Sequence, residues 1–179
     1  MKILLDTNIV IDVLMDRMPF SDSAVELFSK VEDGTIIGYL CGNTITTVYY
    51  LASKTVGAPK AQEEIRKLLS LFEVAPVNRH VLESALVADF MDFEDAVIHE
   101  AACHVGAEAI VTRNQKDFKK SRIPVYSSEE MAKILTIKKV VRYVSDPEEC
   151  FRGLRNTVPQ YDAPLEPRSE EHTSELQSQ

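Results

Sequence analysis

Lys2-Ile3-Leu4-Leu5-Asp6-Thr7-Asn8 is the stretch that decides the fold. An unbroken apolar run meets an acid and two small polar residues. A short run without polar alternation fits a strand buried on both faces, as in a parallel sheet. Asn8 is placed to cap a helix reaching Met15, which Pro19 stops. Further strands are expected at Thr35 to Cys41, Phe72 to Val77, Ala109 to Thr112 and Ile123 to Tyr126. Helical spacing fills the gaps. One helix starts at Ser21 or Asp22, with Ser23 and Glu26 at capping-box spacing, and Gly34 ends it. Others run from Asn43 or Thr44 to Lys54, from Pro59 through Phe72, where the helix overlaps the third strand, from Val81 to Phe90, from Glu94 to Val105, and from Ser127-Ser128-Glu129-Glu130 onward. Strands alternating with helices give an α/β three-layer sandwich with a mainly parallel sheet of about five strands.

The pattern holds over residues 1–135 and weakens afterwards, where prolines accumulate. Residues 136–167 are a doubtful extension. Residues 168–179 look like the conceptual translation of a sequencing adapter and are set aside as an artefact. Hydrophobic residues make up 45% and charged residues 27%, which is globular composition. No apolar run approaches the ~20 residues of a membrane helix, and the N-terminus lacks a signal-peptide pattern. The three cysteines are scattered with no CxxC pair, against a thiolate zinc site and consistent with a reducing cytoplasm. A net charge of −8 excludes a broad footprint on duplex nucleic acid but leaves room for acids gathered around a cation.

In open parallel sheets, sites form beyond the carboxyl ends of the strands. Asp6 follows the first strand, Asp117 follows the fourth, and Asp92, Glu94 and Asp95 open the helix that feeds the fourth. Two carboxylates ~4 Å apart repel by ~4 kcal/mol at an effective dielectric of ~20. Converging acids therefore either take up a proton or hold a cation. Hard oxygen ligands suit Mg²⁺ or Mn²⁺, which in turn suit phosphodiester hydrolysis. Asp6 alone reads equally well as a helix cap. Asp6, Asp95 and Asp117 together read as a metal site.

Asp6-Thr7-Asn8 at a strand end, Phe93-Glu94-Asp95-Ala96 at a helix start, and Thr112-Arg113-Asn114 with Asp117-Phe118 after a strand together resemble the PIN domain, closest to its VapC-like bacterial branch. The resemblance covers about residues 1–135. It implies a Mg²⁺- or Mn²⁺-dependent endoribonuclease that cuts single-stranded RNA to a 5′-phosphate and a 3′-hydroxyl, commonly as the toxin of a toxin–antitoxin pair. It further implies a small antitoxin partner and a homodimer. By position, Asp6, Asp95 and Asp117 become the catalytic, metal-binding acids. Asn8 and Asn114 become orienting groups, and Thr7 or Thr112 bonds a carboxylate or a phosphate. The family usually carries another acid on the helix after the second strand. Here Asn43-Thr44-Ile45-Thr46-Thr47-Val48-Tyr49-Tyr50 has none. Thr47 matches the missing position, and Asp92 or Glu94 is left to supply the charge.

Arg113, Lys116, Lys119, Lys120 and Arg122 form a basic run beside the acids, suited to an RNA backbone. A solvated face is the plainer reading. Tyr49 and Tyr50 read as core for at least one, with base stacking as the alternative. His99 follows Asp95 by one helical turn, and burial or a hydrogen bond fits it better than a metal bond. Cys103 reads as core. Two other functions compete: an impaired PIN-like module that binds RNA or protein, and a haloacid-dehalogenase-type phosphatase. The phosphatase needs a second Asp where Asn8 stands. A P-loop is excluded by the absence of Gly-x-x-x-x-Gly-Lys.

Overall fold

The computed structural model describes the chain through Ser145, with side chains through Lys138. Five parallel strands lie in the order β3-β2-β1-β4-β5. They are β1 (Lys2–Leu5), β2 (Ile37–Cys41), β3 (Glu73–Ala75), β4 (Ala109–Val111) and β5 (Val125–Tyr126). The helices are α1 (Thr7–Leu14), α2 (Phe20–Glu32), α3 (Gly42–Val56), α4 (Ala58–Leu71), α5 (Arg79–Val87), α6 (Phe93–His104) and α7 (Ser128–Ser145). A 3-10 turn, Gln115–Phe118, follows β4.

The strand period of two separates two cores. Ile3, Leu5, Ala109 and Val111 face one layer, with Ile9 and Val10 of α1, Leu27 of α2 and Met131 of α7. Leu4 and Ile110 face the other, packed on Ala96, Val97 and Ala101 of α6 and Val81 of α5. Both faces of β1 and β4 are covered, so these strands read as unbroken apolar runs. Gly38 is required where β2 passes under α2 and α4: a Cβ there would stand 2.6 Å from the Phe72 ring and 2.7 Å from Val31.

Element boundaries differ from the sequence expectation where side chains compete for backbone groups. Asn8 does not cap α1. Asp6 does, its Oδ1 accepting the Thr7 N–H at 2.6 Å, while the Asn8 side chain bonds across to Thr112 and Arg113, just past the end of β4. The expected capping box of Ser23 and Glu26 is absent. Helix α2 starts earlier, at Phe20, and the Ser23 hydroxyl bonds the Ser128 hydroxyl at 2.6 Å. The third strand is shorter than Phe72 to Val77, because the Phe72 N–H still closes α4 on the Leu68 carbonyl at 2.8 Å and Pro76 has no N–H to pair. The fifth strand keeps only Val125–Tyr126 and the fourth stops at Val111.

Met1–Lys138 form one compact unit. Met131, Ala132 and Leu135 of α7 are buried in its core, and α7 continues to Ser145. The readings of residues 146–179 lie outside the described residues. Among the described residues no helix is long and apolar enough to cross a membrane.

Candidate active site

The carboxyl ends of β1 and β4 lie side by side, with the Asp6 N–H donating to the Val111 carbonyl at 2.9 Å. Each strand hands over there to polar residues: Asp6-Thr7-Asn8 after β1 and Thr112-Arg113-Asn114 after β4. Asp6 is buried, and its acid is pushed above the ordinary range by that burial. Opposing the burial, Oδ1 accepts the Thr7 N–H, while Oδ2 accepts the Asn8 amide at 2.6 Å and the Thr112 hydroxyl at 2.7 Å. The fully buried Thr112 also receives the Asn8 amide and the Asn114 N–H on its oxygen, each at 3.0 Å. Asn8 completes the ring by accepting the Arg113 N–H at 3.2 Å.

Beside this network a cleft of about 390 Å³ is lined by Met91, Asp92, Glu94, Asp95, Asn114 and Asp117. Asp92 caps α6, accepting the N–H groups of Glu94 and Asp95 at 2.7 and 3.4 Å. The cap reading of Asp6 therefore holds, and Asp92 caps as well, though a capping carboxylate keeps lone pairs to spare. Asp95 and Asp117 accept no hydrogen bond among the described residues. Asp95, half-buried, is pushed up to about 6 by burial first, then by the charges of Asp6, Asp92, Asp117 and Glu94. Asp6 does not line the cleft but lies within electrostatic reach of Asp95. The same field reaches Cys41 at the end of β2, whose thiol is pushed up to about 11 by burial and, more weakly, by Glu94 and Asp6. Among the described residues, no three His, Cys, Asp or Glu side chains stand in a ready-made cage for one ion.

Sequence reasoning missed two residues. Thr44 of α3, fully buried, bonds Thr7 hydroxyl to hydroxyl at 2.8 Å, whereas the Thr47 side chain, one turn on, makes no hydrogen bond among the described residues. A polar residue in the first turn of a helix beside the site was the available signal. Asp12 of α1, also fully buried, pairs with Arg113 at 3.2 Å. Its signal was a lone acid inside Ile9-Val10-Ile11-Asp12-Val13-Leu14.

The basic run divides. Arg113 is committed to Asp12 and lies over the Phe20 ring at 4.8 Å. Lys120 pairs with Asp89, and Arg122 with Glu100, both at 2.8 Å. Lys116 and Lys119 are exposed and have no ion-pair partner among the described residues. Tyr49 is half-buried, and Tyr50 is exposed under the Lys54 ammonium at 5.5 Å.

His99 does not line the acidic cleft. Its Nε2 accepts the Arg122 N–H at 3.1 Å, so its proton sits on Nδ1, 3.0 Å from Glu100. Burial lowers its proton affinity. Cys103 is half-buried rather than core and lines a separate cleft with His80, His104 and Arg122.

A profile of the family described as PIN domain matches residues 2–116. Ribonuclease VapC1 of Aquifex aeolicus (strain VF5) is 26% identical over 134 residues, covering 72% of this chain and 92% of that protein. A toxin–antitoxin complex from Klebsiella pneumoniae contains a chain 26% identical, with a TM-score of 0.53, covering 70% of this chain and 96% of that one. VapBC-1 from nontypeable Haemophilus influenzae has a TM-score of 0.56 at 16% identity, covering 72% and 99%, a likeness of fold alone.

Proposed function

The chain belongs to the PIN-domain family, and on that premise we propose that it is a divalent-metal-dependent endoribonuclease acting on single-stranded RNA, the toxin of a toxin–antitoxin pair. The observation that carries this reading is Asp95. It lies in an open cleft with Asp117, both carboxylates free of hydrogen-bond donors among the described residues, and four neighbouring acids add to the rise in its proton affinity. Such crowding is relieved by a cation.

The residues fit Mg²⁺ or Mn²⁺ in charge and in their hard oxygen donors. Asp6, Asp95 and Asp117 would hold it, with Asp92 and Glu94 adding charge from the α6 side. When bound, the ion would activate water and polarise the phosphoryl group. The chain's own residues do the placing. Thr112, Asn8 and the Thr7 N–H orient Asp6 and favour its ionised form, opposing the rise that burial causes. Asp92 fixes the start of α6 and thereby Asp95. Lys116 and Lys119, next to Asp117 in sequence, are the cations left to meet an RNA backbone.

The toxin assignment draws on the relatives, which include a named ribonuclease and toxin–antitoxin complexes. The partner we assign to this chain is accordingly a small antitoxin protein. Cleavage of an end-labelled single-stranded RNA with Mn²⁺ or Mg²⁺, abolished by chelator and by Asp95→Asn, is the expected result. Chelator-resistant cleavage, or full activity in Asp6→Asn, would overturn it.

A second reading is favoured by Thr47 standing where the family carries an acid and by the lack of a ready-made cage among the described residues. In it the chain is an impaired PIN-like module that binds RNA or protein. Calorimetric titration separates the two, since no divalent binding at millimolar concentration would select the module.

A further inference from the structure

Arg113 occupies the hinge between β4 and the turn that carries Asp117. Its neighbours face the site: Thr112 bonds Asp6, and Asn114 and Asp117 line the acidic cleft. The Arg113 side chain goes the other way. Nη1 meets Asp12 Oδ1 at 3.2 Å, and the guanidinium lies over the Phe20 ring at 4.8 Å. The arginine side chain is 27% exposed and Asp12 0% exposed, so the pair is largely out of water. Asp12 has no hydrogen-bond donor among the described residues, and Arg113 Nε has no acceptor. Charge is therefore what ties this buried carboxylate down, and Arg113 is the larger of its two compensating charges, ahead of Arg17.

The tie has a defined mechanical result. Asp12 is one turn after Asn8 on α1, so the pair and the Arg113 N–H to Asn8 bond clamp one loop onto one helix at two points. From that loop the chain passes by Asn114, whose carbonyl accepts the Asp117 N–H at 2.8 Å, to the cleft acid itself. We propose that Arg113 is a positioning residue: through buried Asp12 it holds the Thr112-to-Asp117 segment against α1 and so sets where Asp117 stands relative to Asp6 and Asp95. This rests on the nuclease reading above and removes Arg113 from the expected RNA contacts.

The test compares Arg113→Met, Asp12→Asn and the double variant Asp12→Leu/Arg113→Met with wild type. Buried Asp12 cannot reach RNA, so a shared phenotype in the first two marks positioning. Both are expected to lower kcat by about 10-fold, the scale for loss of an outer-shell support, with KM unchanged. RNA affinity measured in chelator, and its salt dependence, should stay at the wild-type value. Amide hydrogen exchange over residues 112–118 should speed up in protein free of metal and RNA. The double variant removes both charges and keeps the volume, which guards against misfolding. It should melt near wild type yet retain the kcat and exchange defects. Wild-type exchange and kcat in a folded double variant would overturn the proposal. So would an Arg113→Met variant with weaker RNA binding and a flatter salt slope beside an unaffected Asp12→Asn. If wild type cuts no RNA, the nuclease reading fails, and the exchange measurement alone still decides whether the clamp orders the segment.

Discussion

The Thr112 hydroxyl donates to Asp6 Oδ2 at 2.7 Å, joining the ends of adjacent strands β1 and β4 through a buried bond. The same oxygen accepts from Asn8 and Asn114, so its bonding capacity is full. One hydroxyl thus orders an acid, an amide and a loop, and ties two stretches of chain, 6–8 and 112–114, together.

Thr112→Val keeps the shape and removes the hydroxyl. Asp6 loses a donor, and two N–H groups lose their acceptor. The expected cost is about 1–3 kcal/mol of stability, read by thermal melting. RNA cleavage should fall by about 10- to 100-fold, the usual effect of deleting an outer-shell partner. Thr112→Ser should restore both. Wild-type turnover in Thr112→Val would show that Asp6 needs no such support.

Stability in the absence of metal should fall as pH rises through about 6. Asp95 titrates near 6 when folded, against an ordinary 3.8. Between those values the folded chain keeps a proton that the unfolded chain releases. The side chain therefore favours folding at low pH, and that contribution is lost as pH rises through the folded value. For a half-buried group the loss is about 1–2 kcal/mol after allowing for solvent screening. Asp95→Asn should melt higher than wild type at pH 8 and show a flatter profile between pH 4 and 8. An identical pH profile in the two proteins would remove the crowding from the account.

What could be read from the sequence was whatever depends on local pattern. The unbroken run Ile3-Leu4-Leu5 marked a strand buried on two faces, and the acids at its end and at the start of α6 marked the candidate site. Partner choice among polar groups was not legible. Arg113 reads as an RNA contact beside Lys116 and Lys119, yet its partner, Asp12, is about a hundred residues away on α1. Asn8 reads as a cap, yet Asp6 takes the helix N–H and Asn8 turns to Thr112, just past β4. These choices are settled by strand order, which brings β1 next to β4, and strand order is a long-range property.

Glu100 should matter for folding and not for chemistry. It is 7% exposed and accepts both from Arg122, at 2.8 Å, and from His99, at 3.0 Å. Burial would raise its acid, but these partners outweigh burial and hold it below the ordinary range. Here the sign is opposite to that of Asp95: stability is present above pH 4.5 and is lost as pH falls through the folded value. Arg122→Gln strands a buried carboxylate with a neutral imidazole and should cost about 1–3 kcal/mol. Cleavage per folded molecule should be unchanged. A turnover defect larger than the folded fraction explains would place this cluster in the active site instead.

RNA affinity should depend on Lys116 and Lys119 more than on Lys120. The first two have no ion-pair partner among the described residues, whereas Lys120 is held by Asp89 at 2.8 Å. Each phosphate contact on a single strand contributes about 0.7 to the slope of log affinity against log salt. The Lys116→Ala/Lys119→Ala variant, measured in chelator so that no RNA is cut, should bind more weakly and lose about 1.4 from that slope. Lys120→Ala should lose far less, because that ammonium is already neutralised within the chain and an exposed pair adds little to stability. Equal slopes in all three proteins would move the RNA path away from the turn that carries Asp117, and a larger loss in Lys120→Ala would mean that the Asp89 pair opens to admit the backbone.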